Sequence, residues 1–544
     1  MKSSTGKIFY QALKLAFPLL LTILVLAGCS RISEEQVSEE KEPAGYNDFQ
    51  FLESDIATIQ QGYADGSLTV TQVVQAFLDR IEAIDRKGPA LNSIICVNPD
   101  AMAIAKALDQ VLSEGGVRGP LFGIPVLLKD NIDTHDNMPT TAGSRALATS
   151  YPLQDSWVAA KLREAGAVII GKTNLSEWAN FRGDLSTSGW SGLGGQTKNP
   201  YVLSRNPCGS SSGSGVAVSA NLCLMAIGTE TNGSIVCPST ANGVVGLKPT
   251  VGLVSRSGVI PISYTQDSPG PMTRTVRDAA ISLGALVGVD PSDGKSLESE
   301  GRFFTDYTQF LDADGLQGKR IGFFTAPMTR NFKVDTLMME TIEYLKASGA
   351  EIIELDRVTQ NTGGHSFQVM LYEYKDGLNK YFASLGPDAP IKNLEELIAF
   401  NESDPVELRY FNQRYLEMAH EKGDLNSATY LEALEGMLRG SRQEGIDKVM
   451  DEHRLDAIVS PTGSPAWFTD WVNGDSFHLG SSSPSAHSGY PIISLPMGFI
   501  EGLPVGVSFF GRAYSEPVLL EIAYGFEQGN PQRRAPEFRE SDPF

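Results

Sequence analysis

Gly123-Ile124-Pro125-Val126-Leu127-Leu128-Lys129-Asp130-Asn131 is the stretch on which the fold turns. Its apolar core, Ile124 to Leu128, shows no polar alternation, which is the pattern of a strand buried on both faces. Outward from it, strand and helix signals alternate. Ser156 to Ala165 reads as a helix, Ala167 to Ile170 as a strand, Val216 to Asn221 as small and apolar, and Met225 to Thr229 as strand-like. Upstream, Ile56, Ile59 and Tyr63 recur at helical spacing, as do Val73, Val74, Phe77, Ile81 and Ile84, with Thr69 or Thr71 capping the second helix. Asn92 to Val97 reads as a strand and Ala101 to Leu112 as an amphipathic helix ending at Gly115-Gly116. Further on, Arg320 to Phe324 and Ile352 to Leu355 flank a helix around Met338 to Leu345, and Ala457 to Ser460, Ile492 to Leu495 and Val505 to Phe510 are short apolar runs. The expected class is α/β, with a single large mixed, mainly parallel sheet covered by helices on both faces. A charged, helical stretch from about Ser366 to Arg454 is expected to be an insertion within one domain spanning residues 47–544.

The start of the chain reads differently. Lys2, Lys7 and Lys14 precede an apolar run, Leu15 to Ala27, and no acidic residue comes before Glu34. That is the layout of a secretory signal, and Leu26-Ala27-Gly28-Cys29 resembles the bacterial lipoprotein box. The competing reading, an uncleaved membrane anchor, is weakened by the shortness of the run and by Pro18, because a span needs about 20 apolar residues. The expectation is a signal peptide over 1–28, lipidation at Cys29, and a polar, acidic tether from 29 to 46. The catalytic part would then be exported and anchored on the periplasmic or cell-surface side. A net charge of −21 argues against a nucleic-acid partner, since phosphate binding needs a basic surface. Of the remaining cysteines, Cys96, Cys208, Cys223 and Cys237, none forms a C-x-x-C pair. An exported chain can oxidise two of them, and the spacing does not say which.

Two motifs mislead. Gly166 to Thr173 fits the phosphate-loop pattern G-x-x-x-x-G-K-[ST], but its variable positions, Ala167 to Ile170, are strand rather than turn. Gly209 to Gly213 fits G-x-S-x-G, but Tyr201 to Cys208 is loop where that elbow needs a strand. A serine triad there would also need a later histidine, for which only His487 has suggestive surroundings.

Denser evidence lies in Lys129, Ser210 and Ser234, none of them decisive alone. The long motifs GIPVLLKDNI (123–132), GAVIIGKTNLSEWA (166–179), CGSSSGSGVAVSAN (208–221), GTETNGSI (228–235), NGVVGLKPTVGLVS (242–255) and GYPIISLPMGFIEGLPVGVSFFG (489–511) occur in this order. Through them the chain resembles the amidase-signature family of serine hydrolases along nearly its whole mature length, and within it the bacterial peptide amidases. The resemblance implies a base at Lys129, a bridging serine held by a cis peptide at Ser210, and a nucleophile at Ser234. It also implies an oxyanion hole from the backbone of Thr231, Asn232, Gly233 and Ser234. The chemistry is coherent: a serine needs an adjacent base, and lysine serves only when neutral, which burial beside an apolar strand favours. Most of the family carries two glycines before the nucleophile and an arginine two residues after it. Here Asn232-Gly233 precedes Ser234 and Val236 follows, a departure similar to that of the peptide amidases.

The expected function is hydrolysis of a carboxamide C–N bond through an acyl-enzyme, with no metal or organic cofactor, on peptide C-terminal amides and with release of ammonia. The alternatives are small aliphatic or aryl amides as substrates, a glutamyl-tRNA amidotransferase-like subunit, or a catalytically idle amide-binding lipoprotein.

Overall fold

The computed structural model describes residues 46–116 and 118–542. The expected signal peptide, Cys29 and all of the tether before Tyr46 lie outside the described residues. Among the described residues no helix is long and apolar enough to cross a membrane. From Phe49 onward the chain is one compact unit.

In chain order its first elements are α1 (Ile56–Asp65), α2 (Val70–Arg80), β1 (Ile94–Val97), α3 (Ala101–Ser113), β2 (Pro125–Lys129), α4 (Trp157–Glu164) and β3 (Val168–Thr173). Then come α5 (Ser212–Ser219), β4 (Met225–Glu230), α6 (Val236–Ala241), β5 (Val245–Lys248), β6 (Ser268–Thr273) and α7 (Val276–Leu286). The later part has β7 (Arg320–Phe324), α8 (Phe332–Ala347) and β8 (Glu351–Leu355), followed by α9 (Gly363–Ser384), α10 (Leu394–Ser403), α11 (Arg414–His420), α12 (Ala428–Ser441) and α13 (Asp447–His453). The chain closes with β9 (Ala457–Pro461), α14 (Ser483–Ser488), β10 (Ile492–Ile500), β11 (Leu503–Phe510) and α15 (Glu516–Gly529). Thr69, not Thr71, caps α2, in a capping box with Gln72.

Eleven strands form one mixed sheet in the order β1-β3-β2-β4-β6-β5-β10-β11-β9-β7-β8. Parallel pairing holds in two blocks, β3·β2·β4 and β9·β7·β8. The remaining neighbours pair antiparallel. All five residues of β2 are buried, as its unbroken apolar run requires of a strand covered on both faces. Gly166 to Thr173 belongs to the turn into β3 and to β3 itself, not to a phosphate-binding turn. Helix α5 packs against β2, β3, β4 and β6. Gly213 makes that approach possible, since a Cβ there would lie 2.3 Å from Ser93 O and 2.5 Å from Asn174 O.

The parallel block decides where chemistry can sit. Loops leaving the carboxyl ends of parallel strands converge on one edge, where open α/β sheets place their ligands. Lys129 ends β2, Asn174 follows β3 and Glu230 ends β4, so all three belong to this edge.

Candidate active site

Lys129 is fully buried, and its Nζ has three partners: Ser210 Oγ at 2.7 Å, Thr229 Oγ1 at 2.8 Å and Thr229 O at 3.1 Å. Burial pulls this ammonium's pKa down to about 7, against the opposing pull of Asp267 and Glu230. The neutral amine has two N–H bonds and one lone pair. If the two N–H bonds go to Thr229, the lone pair faces the Ser210 hydroxyl. Asn131 Nδ2 donates to the same Thr229 Oγ1 at 3.0 Å, fixing that hydroxyl from the other side.

The three adjacent serines have distinct partners. Ser210, after the cis Gly209–Ser210 peptide, is the one bonded to Lys129. The Ser211 hydroxyl pairs with Thr229, donating to its carbonyl at 3.1 Å and accepting its N–H at 3.2 Å. The Ser212 hydroxyl donates to Cys208 O at 2.6 Å. The Ser211 backbone N–H donates to Ser234 O at 3.1 Å, which ties the serine loop to the loop of Ser234.

That second loop is pinned from three sides. Glu230 Oε2 accepts the N–H groups of Ile235 (2.7 Å) and Val236 (3.0 Å). Thr231 Oγ1 donates to Asp267 Oδ1 at 2.6 Å. Asn232 Oδ1 accepts from Ser482 Oγ at 2.7 Å, and its Nδ2 donates to Ser483 Oγ at 3.3 Å. Gly233 has φ +85°, a conformation that suits glycine and turns the chain immediately before Ser234. The backbone N–H groups of Thr231, Asn232, Gly233 and Ser234 donate to no acceptor among the described residues.

Both loops border a cleft of about 470 Å³ whose wall includes Gly209, Asn232, Gly233, Tyr415 and Trp467. Cys208 and Cys237 also line it and form a disulfide, resolving a pairing that spacing leaves open; Cys96 and Cys223 are free. A larger cavity of about 810 Å³ is walled in part by Asp133, Tyr264, Asp267 and Tyr381. Lys129, Ser210 and Ser234 line neither cavity, but the smaller one is bordered by Gly209 and Gly233, the residues immediately before the two serines.

His487, the histidine that a conventional triad would need, is buried in α14 and bonded through Nδ1 to Thr362 Oγ1 at 2.7 Å. Burial lowers its pKa to about 4. Thr229, Asn131 and Asp267 are functional neighbours that the motifs do not single out. The first two lie inside the quoted motifs GTETNGSI and GIPVLLKDNI. Asp267 had no local signal.

Residues 72–520 match the sequence family described as Amidase. A probable amidase of Arabidopsis thaliana is 40% identical over 505 residues, which span 90% of this chain and 92% of that protein. The crystal structure of the native peptide amidase from Stenotrophomonas maltophilia shares 47% identity at a TM-score of 0.86, covering 90% of this chain and 99% of that one. A glutamyl-tRNA(Gln) amidotransferase subunit of Alkaliphilus metalliredigens is 34% identical, over 88% of this chain and 96% of that protein.

Proposed function

This chain belongs to the Amidase family and is an amidohydrolase acting on amides, and from that premise we propose that it releases ammonia from the C-terminal amides of peptides through Lys129, Ser210 and Ser234. The observation that carries the mechanism is the 2.7 Å contact between the buried Lys129 Nζ and Ser210 Oγ. Neutral Lys129 takes the Ser210 proton as Ser210 takes that of Ser234, so Ser234 Oγ attacks the amide carbon. The unpaired N–H groups of residues 231–234 receive the oxyanion; one such donor typically contributes about 2.7–4 kcal/mol to lowering a barrier of this kind. The proton returns through Ser210 to the leaving nitrogen, ammonia departs, and the same relay activates the water that frees the acyl group.

The peptide-amide substrate is supported by the likeness to the Stenotrophomonas maltophilia enzyme and by a cleft whose mainly polar wall carries three aromatic side chains, Tyr415, Trp467 and Phe477. Export and a lipid on Cys29 remain part of the proposal, supported by the signal-like start of the sequence and by the Cys208–Cys237 pairing, since disulfides persist in oxidising compartments. Metabolic labelling with a fatty-acid probe, compared between the parent and Cys29→Ser, tests the anchor.

A panel of amidated peptides, amino-acid amides and aryl acylamides, scored for ammonia or amine release, tests the substrate; greatest turnover is expected on amidated peptides. Ser234→Ala and Lys129→Ala are each expected to abolish release. Activity surviving in Ser234→Ala would overturn the mechanism. Because lysine is active when neutral and its pKa is depressed to about 7, kcat/KM should fall as pH drops through about 7. The amidotransferase relative supports a second reading, in which the chain is one component of a complex and passes its ammonia onward. Stable partner proteins on purification would favour it, and ammonia release by the isolated chain would not.

A further inference from the structure

Behind the nucleophile loop lies a carboxylate that the reaction as written leaves unused. Asp267 immediately precedes β6 and closes a short turn: Oδ2 accepts the N–H groups of Ile262 (2.8 Å) and Ser263 (2.9 Å), and its own N–H donates to Ser263 O at 2.9 Å. With one oxygen fixed in this way, the other is aimed at Thr231 Oγ1, three residues before Ser234. Thr231 thus spends its only hydroxyl proton on Asp267 and holds the start of the loop against β6. Lys129 Nζ is bonded to Thr229 and Asp267 to Thr231, two residues further along the same segment, so the Asp267 carboxylate lies beside the Lys129 site and, with Glu230, favours the charged form of that lysine. It is 7% exposed, so water screens its field weakly.

We propose that Asp267 is a positioning residue with two linked tasks: through Thr231 it fixes the loop that carries Ser234, and its charge sets how readily Lys129 holds its proton. The inference rests on the reading of Lys129 as the base. It requires Asp267 to be ionised when the enzyme works. Burial pushes this carboxyl up to about 6, while Thr231, the Ser263 and Ile262 amides and Arg256 favour its charged form. The other ionisable groups facing it are Lys129 of β2, Tyr264 of its own turn and Tyr374 of α9; Glu373 of α9 acts on Arg256 and Tyr264. A carboxyl held near 6 is mostly ionised at the pH near 7 where Lys129 loses half of its protons.

A nearby carboxylate stabilises the lysine ammonium, so removing its charge lowers the lysine pKa and makes the neutral base available in more acid solution. Asp267→Asn keeps the volume and loses the charge. Its acid limb in kcat/KM against pH, measured by ammonia release, should move to lower pH by on the order of one unit. Thr231→Val loses the tether and one of the bonds that keep Asp267 ionised, so kcat should fall about tenfold and the acid limb should move in the same direction as in Asp267→Asn, by less. A purely structural Asp267 would lower activity without displacing the limb, so an Asp267→Asn limb that superimposes on the parent's overturns the proposal. So does a Thr231→Val enzyme with unchanged kcat. Asp267→Ser, also neutral, serves the pH test if the asparagine variant does not fold. Lys129→Ala separates the two levels of inference. If it is inactive while the Asp267→Asn limb stays put, this proposal fails alone. If Lys129→Ala keeps its activity, the reading of Lys129 as base fails first.

Discussion

Among the described residues His487 has no hydrogen bond to Ser210 or Ser234: it sits in α14 with Nδ1 bonded to Thr362 Oγ1, and desolvation holds its pKa near 4, which makes it a weak base. His487→Gln should accordingly keep most of the parent kcat and leave the acid limb of the pH profile in place. Loss of activity in a folded His487→Gln protein would return the base to histidine. Lys129 and Ser210 were each conspicuous in the sequence, one at the end of an apolar strand and one in a serine–glycine loop. Their contact depends on α5 lying against β2, and that packing is not written in local spacing. The supporting residues show the same limit more sharply. Thr229 meets Asn131 because β2 and β4 are parallel neighbours, and Thr231 meets Asp267 because β4 and β6 pair antiparallel. Cross-strand neighbours carry no sequence signature of their own, so these partners emerge only once the strand order is known.

At the scale of elements, the helices of residues 363–453 are joined to the sheet by a buried ionic knot. Arg182, 1% exposed, pairs through one guanidinium nitrogen with Glu177 Oε1 at 2.5 Å and Glu407 Oε2 at 3.2 Å, and through the other with Glu407 O at 2.6 Å. Glu177 lies in the turn after β3, whereas Glu407 follows α10, so one arginine fastens the two parts together. Burial holds the Glu177 carboxyl well above its ordinary pKa even beside that cation. Arg182→Met would strand two buried carboxyls and should cost about 3–5 kcal/mol in urea unfolding, with Glu177→Gln in the same background recovering part of the loss. A loss below about 1 kcal/mol would show that the knot is dispensable. Periodicity located most strands and helices of this framework, because strands covered on both faces write themselves as apolar runs. Pairing direction was harder to see. Ile492 to Leu495 and Val505 to Phe510 read as separate runs, yet the strands extend to Ile500 and from Leu503 and form a hairpin through Glu501-Gly502, both at positive φ. Helix α5 is hidden for a different reason: Ser-Gly-Ser-Gly has low helical propensity, and the helix is held by its packing against the sheet and α6.

For the whole molecule, the Cys208–Cys237 bond acts on the unfolded chain as much as on the cleft it borders. It closes a loop of 29 residues that contains Ser210 and Ser234, α5 and β4. A cross-link of that span removes conformational freedom from the unfolded ensemble worth about 3–4 kcal/mol in the chain-entropy account. The folded side changes little, because both sulfur-bearing residues are already buried against Tyr201, Ala241 and Trp467 and would remain so as thiols. The effect should therefore appear as a lower urea midpoint with a somewhat larger denaturant slope, since the reduced chain exposes more surface on unfolding. Cys208→Ser/Cys237→Ser in urea, read by circular dichroism, should reproduce what a thiol reductant does to the parent protein, and reductant should have no further effect on the double variant. Equal midpoints for oxidised and reduced parent protein would mean that the 29-residue loop keeps its structure when the rest unfolds, so that the bond constrains nothing. The distinction bears on where the enzyme can work. A chain that draws several kcal/mol from one disulfide is at a disadvantage wherever thiols are kept reduced, whereas in an oxidising compartment the bond keeps the two halves of the cleft wall joined.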